Sequence, residues 1–503
     1  MGRSCGFVSI GLAGLVALCA AFASGFDHAD GPTASVVAAH VCPVGAAEVG
    51  AFRGAARVHQ CAHGAKHGCA LFAPGTSPEY MEAIYQEIAE ATQGDLARFN
   101  AEGSSWSFSP GSTPTLTYSF PPDGTFIPAA FSSDMAGTNT IHQTLDSLYA
   151  SAGGRATWKQ IFRDMFDRWS EITGIQYTEV PDNGAAWSST NYQVHGQIRI
   201  AMRPMDGPSG VLAFNYYPNA TQGLRGNMIL DSAEQWNFAW LDYRFLRNTI
   251  AHEHGHGLGL AHICPVREEK LMEPIISFAY DGPQLDDIRG AQHIYGDRFE
   301  PNERLEDAAQ LGTIGFGQEV IIEEVSIHSM SDIDFYRFVV PPEGRVTIVV
   351  EPVGTTYEQG APNSNGSCPT SGSNFNAKTV GNLQFSLRNS VGNVLAAVAE
   401  NGFGEPESLV QFEVPFAGTY HIRVSVAAMN GVVQMYRMRV RVDGPDAEAC
   451  VGDLNGDGVV NAQDLGIMLS HWGTSNAVAD LNGDGVVNAQ DLAELLSRWG
   501  HCQ

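Results

Sequence analysis

The sequence predicts a multidomain protein in which an α+β domain, an all-β sandwich and a small all-α unit follow one another along 503 residues. Helical and strand patterns alternate up to about residue 298, which is typical of an α+β domain. From there to about residue 445, short β runs are separated by Gly, Pro and Asn, which favours a sandwich. The remaining residues repeat the string "DLNGDGVVNAQDL" at 453–465 and 480–492, a period of 27 residues.

The first residues have the pattern of a secretory signal. An apolar run follows Arg3 and ends at the small-x-small string "AFA", residues 21–23. An uncleaved membrane anchor is the alternative, but the run is short and ends in a good cleavage site. We therefore expect residues 1–23 to be a signal peptide, and the rest of the chain to be secreted or held at the cell surface with no membrane span.

The chain is strongly acidic, with a formal net charge of −27. Such a chain repels nucleic acids and anionic lipid surfaces, so we expect neither as a partner. Its 44% of hydrophobic residues suffice for packed cores. Seven cysteines remain after the predicted signal, and their odd number leaves at least one unpaired within the chain. They are Cys42, Cys61, Cys69, Cys264, Cys368, Cys450 and Cys502.

Residues 24–104 are rich in Ala, Gly and His and are predicted to form a leader or pro-region with one helix, which begins at "PEYMEAIYQEI". The α+β domain is expected at 105–298. Its strand patterns include "PTLTYSF", "IQYTEV", "QIRIAM" and "SGVLAFNYYP", and the last of these is predicted to be an edge strand. The helix pattern "TWKQIFRDMFDRWSEITG" has one apolar face and ends at Gly174.

The densest chemical signal is the string "HEHGHGLGLAH". His252 and His256 are four residues apart, so on a helix they share a face and can bind one metal ion. Gly259 tolerates positive φ, so the chain can turn there and bring His262 to the same ion. Three neutral imidazoles leave a fourth position open to water, which is typical of a catalytic zinc. Glu253 can reach that water without binding the metal.

The spacing His-Glu-x-x-His-x-x-Gly-x-x-His resembles that of the metzincin metallopeptidases. That family places a methionine turn beneath the metal, and "LMEP" supplies Met272. The matrixin branch is the most similar. Its edge strand, the metal-binding segment after it and its closing helix are matched by "GVLAFNYYP", "GNMILDSAEQW" and "DDIRGAQHIYG". The resemblance covers about residues 110–296 and implies a mixed sheet with an active-site helix, one catalytic Zn²⁺ and a protein or peptide substrate.

The resemblance and the chemistry of these residues imply hydrolysis of peptide bonds. Zinc lowers the pKa of a bound water to about 7, and Glu253 would be the general base that passes the proton to the leaving amine. Val211, Leu212 and Ala213 of the edge strand would hold an extended peptide by main-chain pairing. His254 lies on another face of the helix and is predicted to be solvated or packed.

Other positions depart from the matrixin pattern. Phe214 and Ile229 stand where matrixins have histidines for a second, structural zinc, so we expect that ion to be absent. Asp231 and Glu234 match positions that bind calcium in the family and are candidate ligands of one Ca²⁺.

Matrixins keep themselves latent with a pro-region cysteine that caps the zinc, but their usual motif is absent here. Cys42, Cys61 or Cys69 could take this part, because a thiolate is a good zinc ligand. An ordinary disulfide among these three cysteines is an equal alternative.

The β region, expected at 299–445, resembles the pre-peptidase C-terminal domain of secreted bacterial peptidases. The matching strings are "EPNE", "DIDFYRFVVP" and "AGTYHIRV". Asp332 and Asp334 could bind calcium there, although turn and strand-edge roles are more typical of such residues. The polar stretch at 354–382 is predicted to be a long loop.

Each copy of the C-terminal repeat, expected at 446–503, has oxygen-bearing side chains at the spacing of a calcium loop. Glycine holds the sixth position, where the loop turns sharply, and a valine offers its carbonyl at the seventh. The expected ligands are Asp453, Asn455, Asp457, Val459, Asn461 and Asp464 in one loop, and Asp480, Asn482, Asp484, Val486, Asn488 and Asp491 in the other. We therefore expect two Ca²⁺ ions in a small all-α, EF-hand-like pair.

With Asp at the twelfth loop position and a period of 27 residues, this pair resembles a type I dockerin. The resemblance implies a cohesin-like docking partner, and another surface partner or a terminal tag is the alternative. Cys450 and Cys502 bracket the unit, and a disulfide between them would close it.

These features predict a secreted zinc endopeptidase that carries a C-terminal calcium-dependent docking module. The alternative is a non-catalytic, calcium-dependent surface or assembly protein that uses a peptidase-like domain for binding. All three histidines, Glu253 and Met272 are present in the sequence, which favours the enzyme.

Overall fold

The computed structural model describes residues 68–90, 105–108, 114–363, 367–445 and 450–501, which all fall within one compact unit, Phe52–Gln503. The predicted signal at 1–23 lies outside the described residues, as do Cys42, Cys61 and Cys502. Within the described ranges, no helix has the length and apolar character needed to cross a membrane.

The first part of the fold is a six-stranded mixed sheet with helices packed against it. Its strand order is β1-β7-β8-β6-β2-β5, and parallel pairs join β8, β6, β2 and β5 in turn. The elements are β1 (Gly68–Phe72), α1 (Pro78–Glu90), β2 (Thr115–Ser119), β3 (Phe126–Ile127), β4 (Gly137–Thr138), α2 (Ile141–Leu148), α3 (Arg155–Thr173), β5 (Gln176–Glu179), β6 (Ile198–Arg203), β7 (Val211–Tyr216), β8 (Met228–Asp231), α4 (Arg244–Leu258) and α5 (Leu285–Tyr295).

Helix α3 forms where the apolar period of 3.6 residues predicts it. Ile161, Phe166 and Trp169 are buried on its inner face, and each contributes about 1.5–3 kcal/mol through the apolar surface it removes from water. Gly174 ends the helix with φ 72°, a conformation that glycine adopts without steric cost.

Strand β7 is not at the edge of the sheet, contrary to the prediction. The leader segment β1 pairs with it in antiparallel fashion, from Gly68 opposite Tyr216 to Phe72 opposite Val211. The sequence did not indicate this pairing, because "GCALF" is too short to give a strand signal against its Ala- and Gly-rich surroundings. Without β1, strand β7 would have unpaired backbone groups along one edge, and β1 joins the sheet by pairing with these groups.

The second part consists of two further sheets that enclose an apolar core. Their orders are β10-β19-β12-β17 and β16-β15-β18-β11-β9. In β12 the buried residues Val346, Ile348 and Val350 alternate with more exposed ones, as expected for a strand with one face on a core. The strands are β9 (Ala309–Thr313), β10 (Gln318–Ile327), β11 (Asp334–Val340), β12 (Arg345–Pro352), β13 (Thr356–Gln359), β14 (Ser373–Asn376), β15 (Gly381–Asn389), β16 (Val394–Val398), β17 (Glu407–Glu413), β18 (Gly418–Met429) and β19 (Gln434–Asp443).

The polar stretch predicted to be one long loop contains the hairpin β13–β14. Tertiary contacts hold this hairpin against the first domain. A disulfide joins Cys264 to Cys368, and the amide of Cys264 donates to the carbonyl of Gly360 at 3.0 Å. The hairpin has little apolar periodicity of its own, so these contacts could not be predicted from its sequence.

The C-terminal part has two short helices, each preceded by a copy of the acidic loop. Its elements are β20 (Val459–Val460), α6 (Ala462–Ser470), α7 (Ala489–Ser497) and β21 (Gly500–His501). Val460, Met468, Val487 and Leu495 form its small core. A core of this size contributes little stability by itself, so bound ions or a disulfide would add to the stability of this part.

Arg289 of α5 joins the first domain to the second. Its fully buried guanidinium donates to the carbonyls of Val433 (3.2 Å) and Val432 (2.9 Å) and to the hydroxyl of Tyr357 (2.7 Å). Charge-assisted bonds of this kind are strong when desolvated.

Replacing Arg289 should therefore destabilise the packing of the two domains. We expect Arg289→Met to lower the unfolding free energy by about 3–5 kcal/mol, because it leaves buried acceptors unpaired. Calorimetric unfolding of the full chain measures this. Arg304→Met, at an arginine side chain that is 69% exposed, is the matched control and should change little. Equal effects of both substitutions would contradict this role of Arg289.

Candidate metal and peptide-binding site

Three histidine rings converge at the end of α4. His262 Nε2 lies 3.1 Å from His252 Nε2 and 3.2 Å from His256 Nε2. The Nδ1 atoms of His252 and His256 lie 2.6 Å from the carbonyl of Leu271 and 2.7 Å from that of Leu260. A carbonyl can only accept, so each Nδ1 carries the hydrogen and each Nε2 presents its lone pair to the shared point.

These residues fit a zinc ion. Zinc–nitrogen bonds of about 2.0–2.1 Å in tetrahedral geometry place the ligand atoms roughly 3.3 Å apart, close to the observed separations. All three rings are at most 2% exposed, and burial lowers the pKa of His252 to about 4, so the ring is in the neutral form that a metal needs. Without a cation, buried lone pairs would face one another at the same point.

Glu253 lies fully buried beside the histidines. Burial raises the pKa of its carboxyl well above the usual value, and the backbone N–H of Leu71 offsets this only in part. Neither carboxylate oxygen has a well-formed hydrogen bond among the described residues. A buried carboxylate without a full set of partners is costly, and such groups are typical of sites that receive a reactant.

Two glycines and one methionine shape this end of α4. Gly259 ends the helix with φ 104°, which turns the chain toward His262. Gly255 faces Met272, and a Cβ at this glycine would lie 2.5 Å from the methionine Sδ. Met272 is fully buried, so the predicted methionine turn lies against the helix that carries two of the histidines.

Sequence reasoning missed a residue that holds the methionine turn. Both oxygens of Asp287 accept backbone N–H groups, from Leu271 at 2.8 Å and from Met272 at 3.0 Å. Burial raises the pKa of Asp287 to about 6. The signal was present in "DDIRG", where an acidic residue begins the closing helix.

His254 is packed and does not join the other three histidines. It is fully buried, its Nε2 lies 2.7 Å from the Tyr177 hydroxyl, and its ring lies edge-on to Phe166. Phe214 and Ile229 also lie in apolar packing, in the cluster that contains the leader residues.

The leader strand β1 lies in the cleft next to the histidines, along the predicted peptide-binding residues Val211, Leu212 and Ala213 of β7. On its other side, Phe72 N donates to the carbonyl of Pro274 at 3.0 Å and Ile276 N donates to the carbonyl of Phe72 at 3.1 Å. The strand is therefore held by main-chain bonds on both edges.

Two leader side chains reach the third histidine. Cys69 Sγ lies 3.4 Å from His262 Nδ1 and 3.9 Å from its Nε2, and the Tyr85 hydroxyl of α1 lies 2.9 Å from the same Nδ1. Cys69 is disulfide-bonded. Its sulfur lies beside the histidines, and the choice between the two predicted roles stays a prediction. Tyr85 could have been found as an aromatic residue on the apolar face of the leader helix.

Asp231 and Glu234, the candidate calcium ligands of this domain, hold the loop before β7. Asp231 accepts the backbone N–H of Met205 at 3.2 Å and that of Ala233 at 2.8 Å, and Glu234 accepts that of Ser209 at 2.5 Å. These bonds give both carboxylates a structural role, and the calcium site here stays a prediction.

The two acidic loops of the C-terminal part have nearly the same internal bonds. Oxygens of Asp453, Asp457 and Asp464 lie within 4.8 Å of one another in the first loop. Asp464 also accepts the backbone N–H of Asn461 at 2.8 Å, and Asp491 accepts that of Asn488 at 2.7 Å. The last predicted ligand of each loop thus also caps the helix that follows it, which fixes where the loop closes.

The fold and the three convergent histidines agree with a metallopeptidase-type domain, and comparison with known proteins shows which families the chain is similar to. Residues 140–296 match the family model described as matrixin, and residues 451–498 match that of the dockerin type I domain. The chain is thus similar to matrixins and to the dockerin type I domain over these residues, and both predicted resemblances are confirmed.

Curated relatives share the matrixin part. Interstitial collagenase of Bos taurus is 38% identical over 151 residues, which cover 30% of this chain and 30% of that protein. Neutrophil collagenase of Homo sapiens is 34% identical over 153 residues (29% and 31%), and stromelysin-3 of Mus musculus is 31% identical over 147 residues (27% and 27%). The chain thus spans less than a third of the length of these relatives.

Among solved structures, a pre-peptidase C-terminal domain of a collagenase from Bacillus anthracis is 15% identical with a TM-score of 0.17. It covers 27% of this chain and 96% of that chain. A similarity at that score carries no argument about the function of the β region.

The contact between α4 and the methionine turn can be tested with matched glycines. Gly255→Ala should destabilise the chain by about 1–3 kcal/mol, since the new Cβ overpacks against Met272, although alanine favours a helix. Gly466→Ala in α6 is the control, because nothing lies within 4 Å of its new Cβ. It should be neutral or stabilising by about 0.5–1 kcal/mol. Calorimetry and zinc retained after dialysis are the measurements, and similar effects of both variants would contradict the contact.

Proposed function

We propose that the chain is a secreted, zinc-dependent endopeptidase that is held or docked through its C-terminal calcium-binding module. The observation that supports this most is the convergence of three Nε2 atoms beside Glu253, at a strand that already holds an extended segment. His252, His256 and His262 would hold the ion. When bound, zinc lowers the pKa of a water to about 7 and polarises a carbonyl.

Glu253 would carry the proton in the reaction. A water that attacks the scissile carbonyl must lose a proton, and the leaving nitrogen must gain one. The backbone N–H of Leu71 in β1 acts on the Glu253 carboxyl, so this carboxyl lies near the strand that occupies the cleft. One carboxylate can therefore serve both ends of the bond.

The substrate would bind as a strand along β7. Main-chain pairing gives affinity without sequence preference, and pockets for alternate side chains add selectivity. Leu71 is buried in the apolar cluster that also contains Leu212, Met272 and Ile276, which supports a large aliphatic side chain of the substrate at this position. We infer that the substrates are unfolded or extended protein segments.

The leader would keep the enzyme latent by occupying this cleft. Strand β1 uses the main-chain groups of β7 that a substrate needs, and the Cys69 sulfur lies next to the proposed metal position. As a disulfide sulfur it is no thiolate, so the strand itself would form the block. Activity then requires β1 to leave or to be cut.

The dockerin domain would bind two Ca²⁺ ions in its EF-hand-like loops and a cohesin-like partner on its surface. Hard oxygen ligands at these spacings suit calcium. Cys450 is disulfide-bonded, and we propose Cys502 as its partner. Together the two domains point to an extracellular or cell-surface assembly.

The catalytic proposal is tested with Glu253→Ala on casein, using chains from which the leader has been removed. We expect cleavage to fall by about 10²–10⁴-fold while the zinc content stays at one ion, because Glu253 moves protons and does not hold the metal. Glu405→Ala in an exposed turn of the second domain is the control and should keep full activity. If the zinc-loaded wild type cleaves neither casein nor a broad peptide library, the chain is the alternative, a calcium-dependent binding protein.

The latency proposal is tested by weakening β1 in the unprocessed chain. Leu71→Asp buries a charge in the cleft and should release the strand, so that casein cleavage rises at least about tenfold over the unprocessed wild type. Leu496→Asp, at an exposed leucine, is the control. Adding Glu253→Ala to Leu71→Asp should abolish the gain. An unprocessed wild type as active as the processed chain would rule out a block by β1.

A further inference from the structure

Strand β1 passes the proposed catalytic groups with its own main chain. Its Cys69 Sγ lies 3.9 Å from His262 Nε2, the atom that lies 3.1 and 3.2 Å from the Nε2 atoms of the other two histidines. Two residues further on, the backbone N–H of Leu71 acts on the carboxyl of Glu253. The peptide bond from Ala70 to Leu71 therefore belongs to the part of β1 that passes both the histidines and Glu253.

Main-chain bonds hold β1 on both sides of this peptide bond. Before it, residues 68–70 pair with β7. After it, Phe72 N donates to the carbonyl of Pro274 at 3.0 Å, and Ile276 N donates to the carbonyl of Phe72 at 3.1 Å. Ala73 N then donates at 2.9 Å to the carbonyl of the glycine that precedes β7. The bond is thus fixed in place beside Glu253, and such positioning favours reaction within one chain.

Leu71 anchors the side of the bond that would leave as an amine. Its side chain is fully buried in the apolar cluster that also contains Leu212, Met272 and Ile276. Ala70, on the other side, is small and also fully buried. Apolar burial next to the reacting atoms can supply the binding energy that positions them. The leader therefore has two features expected of a bound substrate, a main chain paired on both edges and a buried side chain.

We propose that the chain cuts its own leader at the Ala70–Leu71 bond, within one molecule. This inference rests on the proposed peptidase function. Water adds its oxygen to the carbonyl carbon of Ala70, and the bond from that carbon to Leu71 N breaks. Both hydrogens of the water end on this nitrogen, the first of them carried by Glu253. The products are an Ala70 carboxylate and a Leu71 ammonium group.

Burial keeps this reaction within one molecule. Ala70 and Leu71 are both 0% exposed, and β1 is paired along both of its edges. A second molecule could bring its own cleft to this bond only after β1 had left the first one. The cut divides β1 into two shorter pieces that each keep part of the main-chain pairing, so each piece is held less firmly. Self-cleavage is therefore the first step in removing the leader.

The first test follows the full, unprocessed chain, prepared in a zinc chelator, after zinc is returned to it. Fragments are identified by N-terminal sequencing and mass once the disulfides have been reduced, so that bridged pieces separate. We expect a new amino terminus at Leu71, formed at a rate that stays the same on about hundredfold dilution. Glu253→Ala should not form it, and Glu405→Ala, the exposed control, should form it at the wild-type rate. Cleavage at other bonds only, or a rate that falls in proportion to dilution, overturns the proposal.

The second test asks whether another molecule can make the same cut. The full Glu253→Ala chain is mixed with a small amount of wild type from which the leader has been removed, and with casein. We expect casein to be cleaved while the Ala70–Leu71 bond of the variant stays intact for as long as the wild type needs to cut its own. Cleavage of the variant at the wild-type rate overturns the proposal. If casein also stays intact, the peptidase function fails as well, whereas casein cleavage without any Leu71 terminus in the wild type refutes self-cleavage alone.

The third test measures the position of β1 without any cleavage, by hydrogen exchange in the full Glu253→Ala chain. The amides of Phe72 and Ala73 donate to carbonyls on the two edges of β1. They should therefore exchange at least about a hundredfold more slowly than the amide of Gly75, which lies in the exposed turn that follows. Equal exchange at all three amides would show that β1 is not held in the cleft, and the self-cleavage proposal would then fail.

Discussion

The proposed catalytic centre depends on a backbone reversal at the end of α4. Two of its histidines are fixed by helix geometry alone, since residues four apart share a face. The third reaches the same point only because Gly259 adopts φ 104° and the chain turns back under the helix. Gly255 then leaves room for Met272, and Asp287 holds the methionine turn through two backbone bonds. Each ring is buried, and the carbonyls of Leu271 and Leu260 orient the rings of His252 and His256.

In the proposed function, the same cleft would bind the substrate and would be blocked by the leader strand in the unprocessed chain. Strand β7 presents main-chain groups that must be paired, and in this chain β1 pairs them. A peptide substrate would need the same groups, so leader and substrate exclude one another. The contacts of Cys69 and Tyr85 with His262 add side-chain interactions to this main-chain pairing. In this proposal, the leader strand and the substrate compete for the same edge of β7. The enzyme is active only after the leader strand has been removed.

The second domain packs directly behind this site. Arg289 bonds to carbonyls of the β-sandwich from the helix that also carries Asp287, and the disulfide at Cys264 begins two residues after His262. The β-sandwich therefore contacts the domain that carries the proposed metal site at several separate places.

The sequence by itself determined the local chemistry. The periodicity of α3, the spacing of His252, His256 and His262, and the two acidic loops are local patterns, because helix faces and loop ligands depend on residues a few positions apart. Tertiary structure decided what depends on distant partners. The pairing of β1 with β7, the position of Tyr85 at His262 and the β13–β14 hairpin each join segments tens to hundreds of residues apart. A short segment such as "GCALF" has no pattern from which its partner strand could be predicted. The backbone groups of β7 with which β1 pairs are presented as a sheet edge only once the chain has folded.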